Sequence, residues 1–113
     1  MNSEFSKNVI FILKNIPYGR VITYGAAAAL AGNPRAARQV SWLLHSSSKK
    51  FNLPWHRVIS SSGKISLPPP YDEEQITLLN AEGIEFIGKK VDLSKYFWNI
   101  KSIDAINNSQ NTV

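Results

Sequence analysis

The residues with the clearest chemistry lie in the segment 54–59, which reads Pro-Trp-His-Arg-Val-Ile. His56 carries an imidazole, the side chain that exchanges a proton most readily near neutral pH. The preceding Trp55 carries an indole N–H, which donates a hydrogen bond but neither ionises at biological pH nor offers a lone pair. No carboxylate is adjacent to His56 in the sequence, which argues against a hydrolytic site here, although Glu82 could approach His56 in space. The segment therefore supplies groups for stacking and hydrogen bonding but no nucleophile.

Cysteine is absent from the chain, and histidine occurs only twice. The absence of thiols excludes disulfides, cysteine-ligated zinc, thiol nucleophiles and thiol-based redox switching. Two histidines alone also disfavour a zinc site built from imidazoles. We therefore expect neither a metal nor a cofactor.

Charge is distributed very unevenly along the 113 residues, whose formal net charge is +5. No Asp or Glu lies between Phe5 and Tyr71, and the acids concentrate from Asp72 onward. A field of one sign over two thirds of the chain is typical of a surface that neutralises phosphates, although a basic face without a partner remains an alternative. The basic residues of this stretch are Lys7, Lys14, Arg20, Arg35, Arg38, Lys49, Lys50, Arg57 and Lys64. The generic candidates for phosphate contacts are Arg35, Lys49, Lys50 and Lys64.

The first half of the chain predicts helices joined by short turns. Apolar periodicity predicts a helix over 3–15, and a short extended link follows at 20–23. Thr23 is a candidate N-cap for an alanine-rich helix over 24–30. Asn33 is the candidate cap of the next helix, with Pro34 at its first position and an end at about His45. Two helices joined by the glycine-containing turn 31–33 predict a helix-turn-helix over about 24–45.

The second half predicts shorter and more irregular elements. A polar loop at 46–50 leads to a short strand ending at Ile59, a turn at 61–64 and a stiff proline loop at 67–70. Asp72 is the candidate cap of a final helix to about Glu82, which Gly83 stops. Residues 84–93 are expected to be extended, and the aromatic residues at 96–98 to close the core. One domain over 1–100 and a disordered tail over 101–113 are predicted.

Three segments together resemble a known family. Residues 16–25 and 32–40 resemble the DNA-binding half of O6-alkylguanine-DNA alkyltransferases, and residues 54–59 resemble the family's active-site motif Pro-Cys-His-Arg-Val-Ile/Val. Trp55 stands at the position of the alkyl-accepting cysteine, as in the alkyltransferase-like proteins, which bind alkylated DNA without repairing it. The likeness runs from about Phe5 to Trp98. It implies a mostly α fold with a small β element, a winged-helix-like domain containing a helix-turn-helix.

The resemblance also implies roles for individual residues. Arg38 matches the arginine that is inserted into the duplex in place of a rotated nucleotide, and Tyr24 matches the tyrosine that promotes the rotation. Small side chains at Ala36 and Ala37 would let the helix approach the walls of the minor groove. Trp55 would face the flipped base.

Three further residues keep alternatives open. His56 and Glu82 match the histidine and glutamate that generate the thiolate in transferases. Without a thiol they act either near the lesion or as a buried hydrogen-bonded pair. Arg57 is either a DNA contact or an internal structural anchor.

Three positions depart from the family pattern. Ser41-Trp42 stands where a glycine usually follows the valine of the helix, so Trp42 either crowds the helix or is an additional core residue. Ser47 replaces a frequent asparagine. The proline loop at 67–70 lacks the basic residue that some alkyltransferase-like proteins carry there, which predicts a rigid wall instead.

The resemblance implies a monomeric, non-enzymatic protein that binds duplex DNA containing O6-alkylguanine, flips the lesion and marks it for nucleotide excision repair proteins. Two other classes remain open: a helix-turn-helix transcription regulator, and an enzyme that uses a non-cysteine nucleophile or His56. The polar N-terminal residues and the absence of a long apolar run predict no export signal and no membrane partner. We expect a nuclear location in a eukaryote, and otherwise the cytoplasm or nucleoid.

Overall fold

The computed structural model describes residues 3–111. Helices predominate along the chain, with short strands between some of them. The elements in order are α1 (Ser3–Lys14), β1 (Ile22–Thr23), α2 (Tyr24–Leu30), α3 (Ala37–Phe51), a 3₁₀ turn (Trp55–Arg57), β2 (Val58–Ile59), α4 (Tyr71–Ala81), β3 (Phe86–Ile87), β4 (Lys90–Val91), α5 (Leu93–Tyr96) and α6 (Ile103–Asn111). Among these described residues, no helix is both long and apolar enough to cross a membrane.

The described residues form two small sheets, and their buried side chains gather in two hydrophobic cores. Strands β1 and β2 pair in parallel with Ile22 opposite Val58, and β3 and β4 form an antiparallel hairpin. The larger core lies among α1, α2 and α3, while a smaller core gathers around Ile59, Leu79 and Ile84. This mostly helical fold with small sheets and a helix-turn-helix confirms the predicted fold class.

The start of α2 follows the sequence prediction. Thr23 is in an extended conformation, and its hydroxyl oxygen accepts a hydrogen bond from the backbone N–H of Ala26 at 3.1 Å. This cap satisfies one of the donors that a helix leaves free in its first turn. Because Thr23 also pairs with Ile59 in the parallel sheet, the cap joins α2 to the strand that follows the Trp55–Arg57 turn.

The predicted bounds of the second helix of the motif are wrong at both ends. The carboxamide oxygen of Asn33 accepts from the backbone N–H of Arg35 at 3.2 Å, so it closes a local turn and α3 begins only at Ala37. At the other end, the polar residues 46–50 continue the helix. The hydroxyls of Ser46 and Ser48 donate to carbonyls one turn earlier, so these serines are satisfied inside the helix. The helix-turn-helix therefore extends over 24–51.

The predicted capping role of Asp72 is also wrong, because α4 begins one residue earlier and Pro70 precedes it. Asp72 is buried and pairs with Lys89 at 2.9 Å instead. The stop at Gly83 is confirmed. This residue has φ of 85°, and the N–H of Ile84 reaches back to the carbonyl of Leu79, closing the helix end in a conformation that favours glycine.

The chain continues in helical form beyond Trp98. Tyr96 is buried and Trp98 is half-buried, which confirms that the aromatic segment 96–98 closes the core. The prediction of disorder from Lys101 is wrong over 103–111, where α6 packs on α1 and Ile106 is 2% exposed. Apolar burial at Ile106 contributes to holding this polar segment against the larger core. Residues 112–113 of the predicted tail lie outside the described residues.

Candidate nucleic-acid interface

Trp55 lies on a 3₁₀ turn between the end of α3 and β2. Upstream of this turn, α3 ends at Asn52, which has the left-handed conformation with φ of 52°. This conformation lets the N–H of Leu53 donate to the carbonyl of Ser48 at 2.9 Å. The half-buried indole meets the imidazole of His56 edge-on, with ring centroids 6.1 Å apart. An open pocket of about 540 Å³ lies here. Its walls are Ser48, Lys49, Asn52, Leu53, Pro54, Trp55 and His56.

The carboxylate of Glu82 is the centre of a hydrogen-bonded cluster next to this pocket. It lies 2.6 Å from Nε2 of His56, and it accepts hydrogen bonds from Nε and Nη2 of Arg57 at 2.8–3.0 Å. The backbone N–H of Gly19 donates to its Oε1 at 2.7 Å. With 6% of the side chain exposed, Glu82 is almost completely surrounded by these donors. The structure therefore brings together the two residues that match the family's relay.

The donors around Glu82 determine its charge state. Burial by itself raises the pKa of this carboxyl, but the hydrogen bonds from Arg57, Gly19 and His56 outweigh burial and hold the pKa of Glu82 below its usual range. The carboxylate is therefore ionised at neutral pH. An ionised carboxylate on one ring nitrogen orients the imidazole, as an acid–base pair requires.

Arg57 uses its guanidinium inside the protein. Besides the contacts to Glu82, Nη1 donates to the carbonyl of Ile16 at 2.9 Å, and the guanidinium lies 5.8 Å from the centre of the Tyr18 ring. Arg57 is thus held by the turn that follows α1. Of its two predicted roles, this geometry favours the internal anchor over the DNA contact.

Gln75 is a site residue that the sequence analysis missed. It lies on α4, is 2% exposed, and its Nε2 donates to the carbonyls of His56 at 3.0 Å and Val58 at 3.1 Å. These bonds connect α4 to the backbone of the Trp55–Arg57 turn and of β2. The sequence shows only a glutamine within the predicted helix, and it indicates neither the burial of this side chain nor its hydrogen-bond partners.

The helix-turn-helix residues have different exposures. Arg38 is exposed on the first turn of α3, and Ala37 is half-buried. Ala36 is 4% exposed and belongs to the core, and the predicted close approach of its helix to the groove walls stays a prediction. Tyr24, the first residue of α2, is half-buried, and burial raises the pKa of its hydroxyl. Tyr24 is therefore a neutral hydrogen-bond donor.

The four candidate phosphate contacts are all exposed, but they lie in different places. Arg35 lies in the turn before α3, and Lys49 borders the Trp55 pocket. Lys50 lies 5.3 Å from the centre of the Phe51 ring. Lys64 pairs through its backbone with Lys90, next to the β3–β4 hairpin. They do not form one cluster around Trp55.

The three departures from the family pattern have clear locations. Trp42 is 56% exposed, so it is not the additional core residue that the sequence left open. Ser47 is half-buried on α3, and the neighbouring Ser48, not Ser47, lines the Trp55 pocket. The prolines at 68–70 are exposed in the loop before α4.

Comparison with known proteins agrees with this architecture. Residues 4–84 match the family model described as the DNA-binding domain of 6-O-methylguanine DNA methyltransferase. The chain is 46% identical over 97 residues to the DNA base-flipping protein of Escherichia coli, which covers 85% of this chain and 75% of that protein. It is 37% identical over 102 residues to Alkyltransferase-like protein 1 of Schizosaccharomyces pombe, with 84% and 94% covered.

A solved structure shows the same fold. The crystal structure of S. pombe Atl1 in complex with damaged DNA containing O6-carboxymethylguanine matches with a TM-score of 0.77 at 34% identity, covering 88% of this chain and 99% of that chain. The resemblance read from the motifs is thereby confirmed. The chain belongs to the family of 6-O-methylguanine DNA methyltransferase DNA-binding domains, and within it to the alkyltransferase-like proteins.

Proposed function

We propose that this protein is a non-enzymatic sensor of alkylated DNA. It binds the duplex, rotates O6-alkylguanine out of the stack into the pocket beside Trp55, and leaves the alkyl group in place. One observation carries the proposal: an indole directly precedes a histidine that is hydrogen-bonded to a buried carboxylate. The His56–Glu82 pair is hydrogen-bonded. It cannot activate the adjacent Trp55, because an indole N–H does not ionise at biological pH.

Transfer of an alkyl group from O6 of guanine is a displacement at the alkyl carbon, which requires a nucleophile with a free electron pair. A thiolate supplies that pair in transferases, and this chain contains no cysteine. The indole N–H of Trp55 has no lone pair to offer. The His56–Glu82 pair accordingly serves to position the turn that carries Trp55, together with Arg57 and Gln75.

The pocket suits recognition of a flipped base. Its volume of about 540 Å³ lies in the range of roughly 300–1,000 Å³ that is typical of small-molecule sites. Base–aromatic stacking is worth about 1–3 kcal/mol per base, and the exposed Lys49 at the border adds positive charge near the DNA backbone. We further propose that the deformed complex is the signal that nucleotide excision repair proteins detect, in the nucleus of a eukaryote or in the nucleoid.

A binding assay with two labelled duplexes tests the lesion preference. We expect fluorescence anisotropy at matched salt to show tighter binding to an O6-methylguanine duplex than to its unmodified twin. The change Trp55→Phe should reduce this preference about fivefold because a smaller ring stacks less well, within the range of roughly 1–3 kcal/mol for such contacts. Trp98→Phe is the matched control outside the pocket and should leave the preference unchanged.

Two outcomes would contradict the proposal. Equal affinity for the two duplexes at matched salt would instead favour a general helix-turn-helix DNA-binding protein. Intact-mass spectrometry after incubation with alkylated DNA tests the enzymatic alternative, and a methyl group gained by the protein or lost from the DNA would show catalysis. We expect Trp55→Cys to show weak transfer or none, because the pocket around an indole does not position a smaller nucleophile.

A further inference from the structure

An exposed stripe follows one face of α3. Its members, spaced by four, three and four residues, fall on the same side of an α-helix. Every one of them is exposed, whereas Val40, Leu43 and Leu44 on the opposite side are buried. At a rise of about 1.5 Å per residue the stripe is roughly 16 Å long. We call this set the α3 stripe; it consists of Arg38, Trp42, His45 and Lys49.

The α3 stripe connects the two ends of the proposed DNA site. Arg38 lies in the first turn of α3, and Lys49 borders the Trp55 pocket. Trp42 lies between them with 56% of its surface exposed. An exposed indole presents a large apolar ring face with an N–H at its edge, which suits contact with a partner that is apolar in one part and polar in another.

The charges along the stripe indicate the chemistry of the partner. Helix α3 contains no acidic residue, and Arg38 and Lys49 are both exposed cations. The surface therefore suits a partner that presents anionic groups with apolar surface between them. The sugar–phosphate backbone of DNA has this chemistry: phosphates for the cations, and deoxyribose for the face of an indole.

We propose that Trp42 is a lesion-independent DNA contact, packing on deoxyribose of the strand that lies along the α3 stripe. The proposal rests on the DNA binding proposed above and assigns distinct roles to two tryptophans. Trp42 contributes to affinity for every duplex, whereas Trp55 contributes to preference for the lesion.

Binding measurements on both duplexes separate these roles. We expect Trp42→Ala to weaken binding to the unmodified and the O6-methylguanine duplex by the same factor of about ten, equivalent to about 1.4 kcal/mol. The preference between the duplexes should stay unchanged. Ile87→Ala removes another exposed apolar side chain, on β3, and should change neither affinity more than twofold. Wild-type affinity of Trp42→Ala for both duplexes would overturn the proposal.

Fluorine NMR tests the contact without altering Trp42. The chain contains three tryptophans, so 5-fluorotryptophan labelling should give three resonances, assigned with Trp42→Phe, Trp55→Phe and Trp98→Phe. We expect the unmodified duplex to shift the Trp42 resonance, and the O6-methylguanine duplex to shift those of Trp42 and Trp55.

An unshifted Trp42 resonance with both duplexes would overturn the assignment. A shift with rising protein concentration in the absence of DNA would also overturn it, since the partner would then be a second copy of this chain. A silent Trp55 resonance with no lesion preference contradicts the proposed sensor function while leaving the Trp42 contact intact.

Discussion

Glu82 joins three distant segments of the chain through one carboxylate. It accepts hydrogen bonds from Gly19, which precedes β1, and from His56 and Arg57 on the turn that carries Trp55. The hydrogen bond to Gly19 spans 63 residues of sequence and the bonds to Arg57 span 25. The hydrogen bonds to Glu82 hold the turn that carries Trp55 and His56 in the pocket wall. Because the same bonds join distant segments of the chain, they also stabilise the fold.

Removing the charge of Glu82 should be costly. We expect Glu82→Gln to lower the free energy of unfolding by about 3 kcal/mol, because the guanidinium of Arg57 would stay largely buried without a counter-charge. Urea denaturation followed by circular dichroism measures the difference. Glu85→Gln, at an exposed position three residues further along, should change stability by less than about 0.5 kcal/mol. Equal effects of the two changes would show that the cluster contributes nothing specific.

The same carboxylate predicts a dependence of stability on pH. Burial raises the pKa of Glu82, but the hydrogen bonds around it lower the pKa further, so the net value in the folded state lies below the ordinary 4.5. Its stabilisation is therefore fully present above pH 4.5 and is lost as the pH falls through the lower folded-state pKa. The stability difference between the wild type and Glu82→Gln should narrow in acid. A difference that stays constant down to about pH 3 would contradict this account.

At the scale of elements, the length of α3 determines where the site can form. Its last turns contain Lys49, which borders the Trp55 pocket, and Phe51. The helix ends at Asn52, and the Trp55 turn follows. A helix ending at His45 would leave Lys49 in a loop and interrupt the α3 stripe. The serines at 46 and 48 permit the extension because their hydroxyls bond to the helix backbone instead of competing with it.

The helix α6 makes a testable contribution to the larger core. We expect Ile106→Ala to lower the free energy of unfolding by about 2 kcal/mol, because the side chain is 2% exposed. This value is near the low end of the losses measured for Ile→Ala in protein cores, since α6 lies near the end of the chain. Asn107→Ala, at the adjacent exposed position, should have little effect. If the two variants unfolded at the same urea concentration as the wild type, residues 103–111 would be a tail that packs on nothing.

Over the whole molecule, opposite charges are segregated along the chain. The stretch that forms α2, α3 and the Trp55 turn contains no acid, while the first turn of α4 contains Asp72, Glu73 and Glu74. The basic part coincides with the proposed DNA surface, and segregation of this kind orients a molecule as it approaches a polyanion. Attraction of this origin does not depend on the base and should be the same for damaged and undamaged DNA.

Salt titration measures this sequence-independent contribution. If the four exposed candidates Arg35, Lys49, Lys50 and Lys64 each neutralise a phosphate, affinity should fall about 10²-fold between roughly 50 and 200 mM salt. The slopes should be equal for the O6-methylguanine and unmodified duplexes, because the lesion preference arises from stacking at Trp55. A lesion preference that disappears as salt rises would place discrimination in the ionic contacts instead.

Several features could be predicted from the sequence because they depend on chain neighbours. The cap at Thr23, the stop at Gly83 and the substitution of tryptophan before His56 each involve residues within about one helical turn of each other. Apolar spacing and capping residues also indicated the helices α1 to α4, but not α5 and α6. Their ends were less predictable, because a serine-rich segment suits a loop or a helix end equally well until its surroundings are known.

Only the tertiary structure decided the burial and the long-range contacts of individual side chains. It placed Glu82 against Arg57 and Gly19, gave Gln75 its two backbone acceptors, buried Ala36 and exposed Trp42. Local hydrogen bonds are specified by residue type and spacing, whereas burial and long-range pairing depend on how separate segments pack. The sequence by itself determined that the position before His56 holds an indole and that the chain has no thiol; packing decided that this indole borders an open pocket beside an assembled acid–base pair.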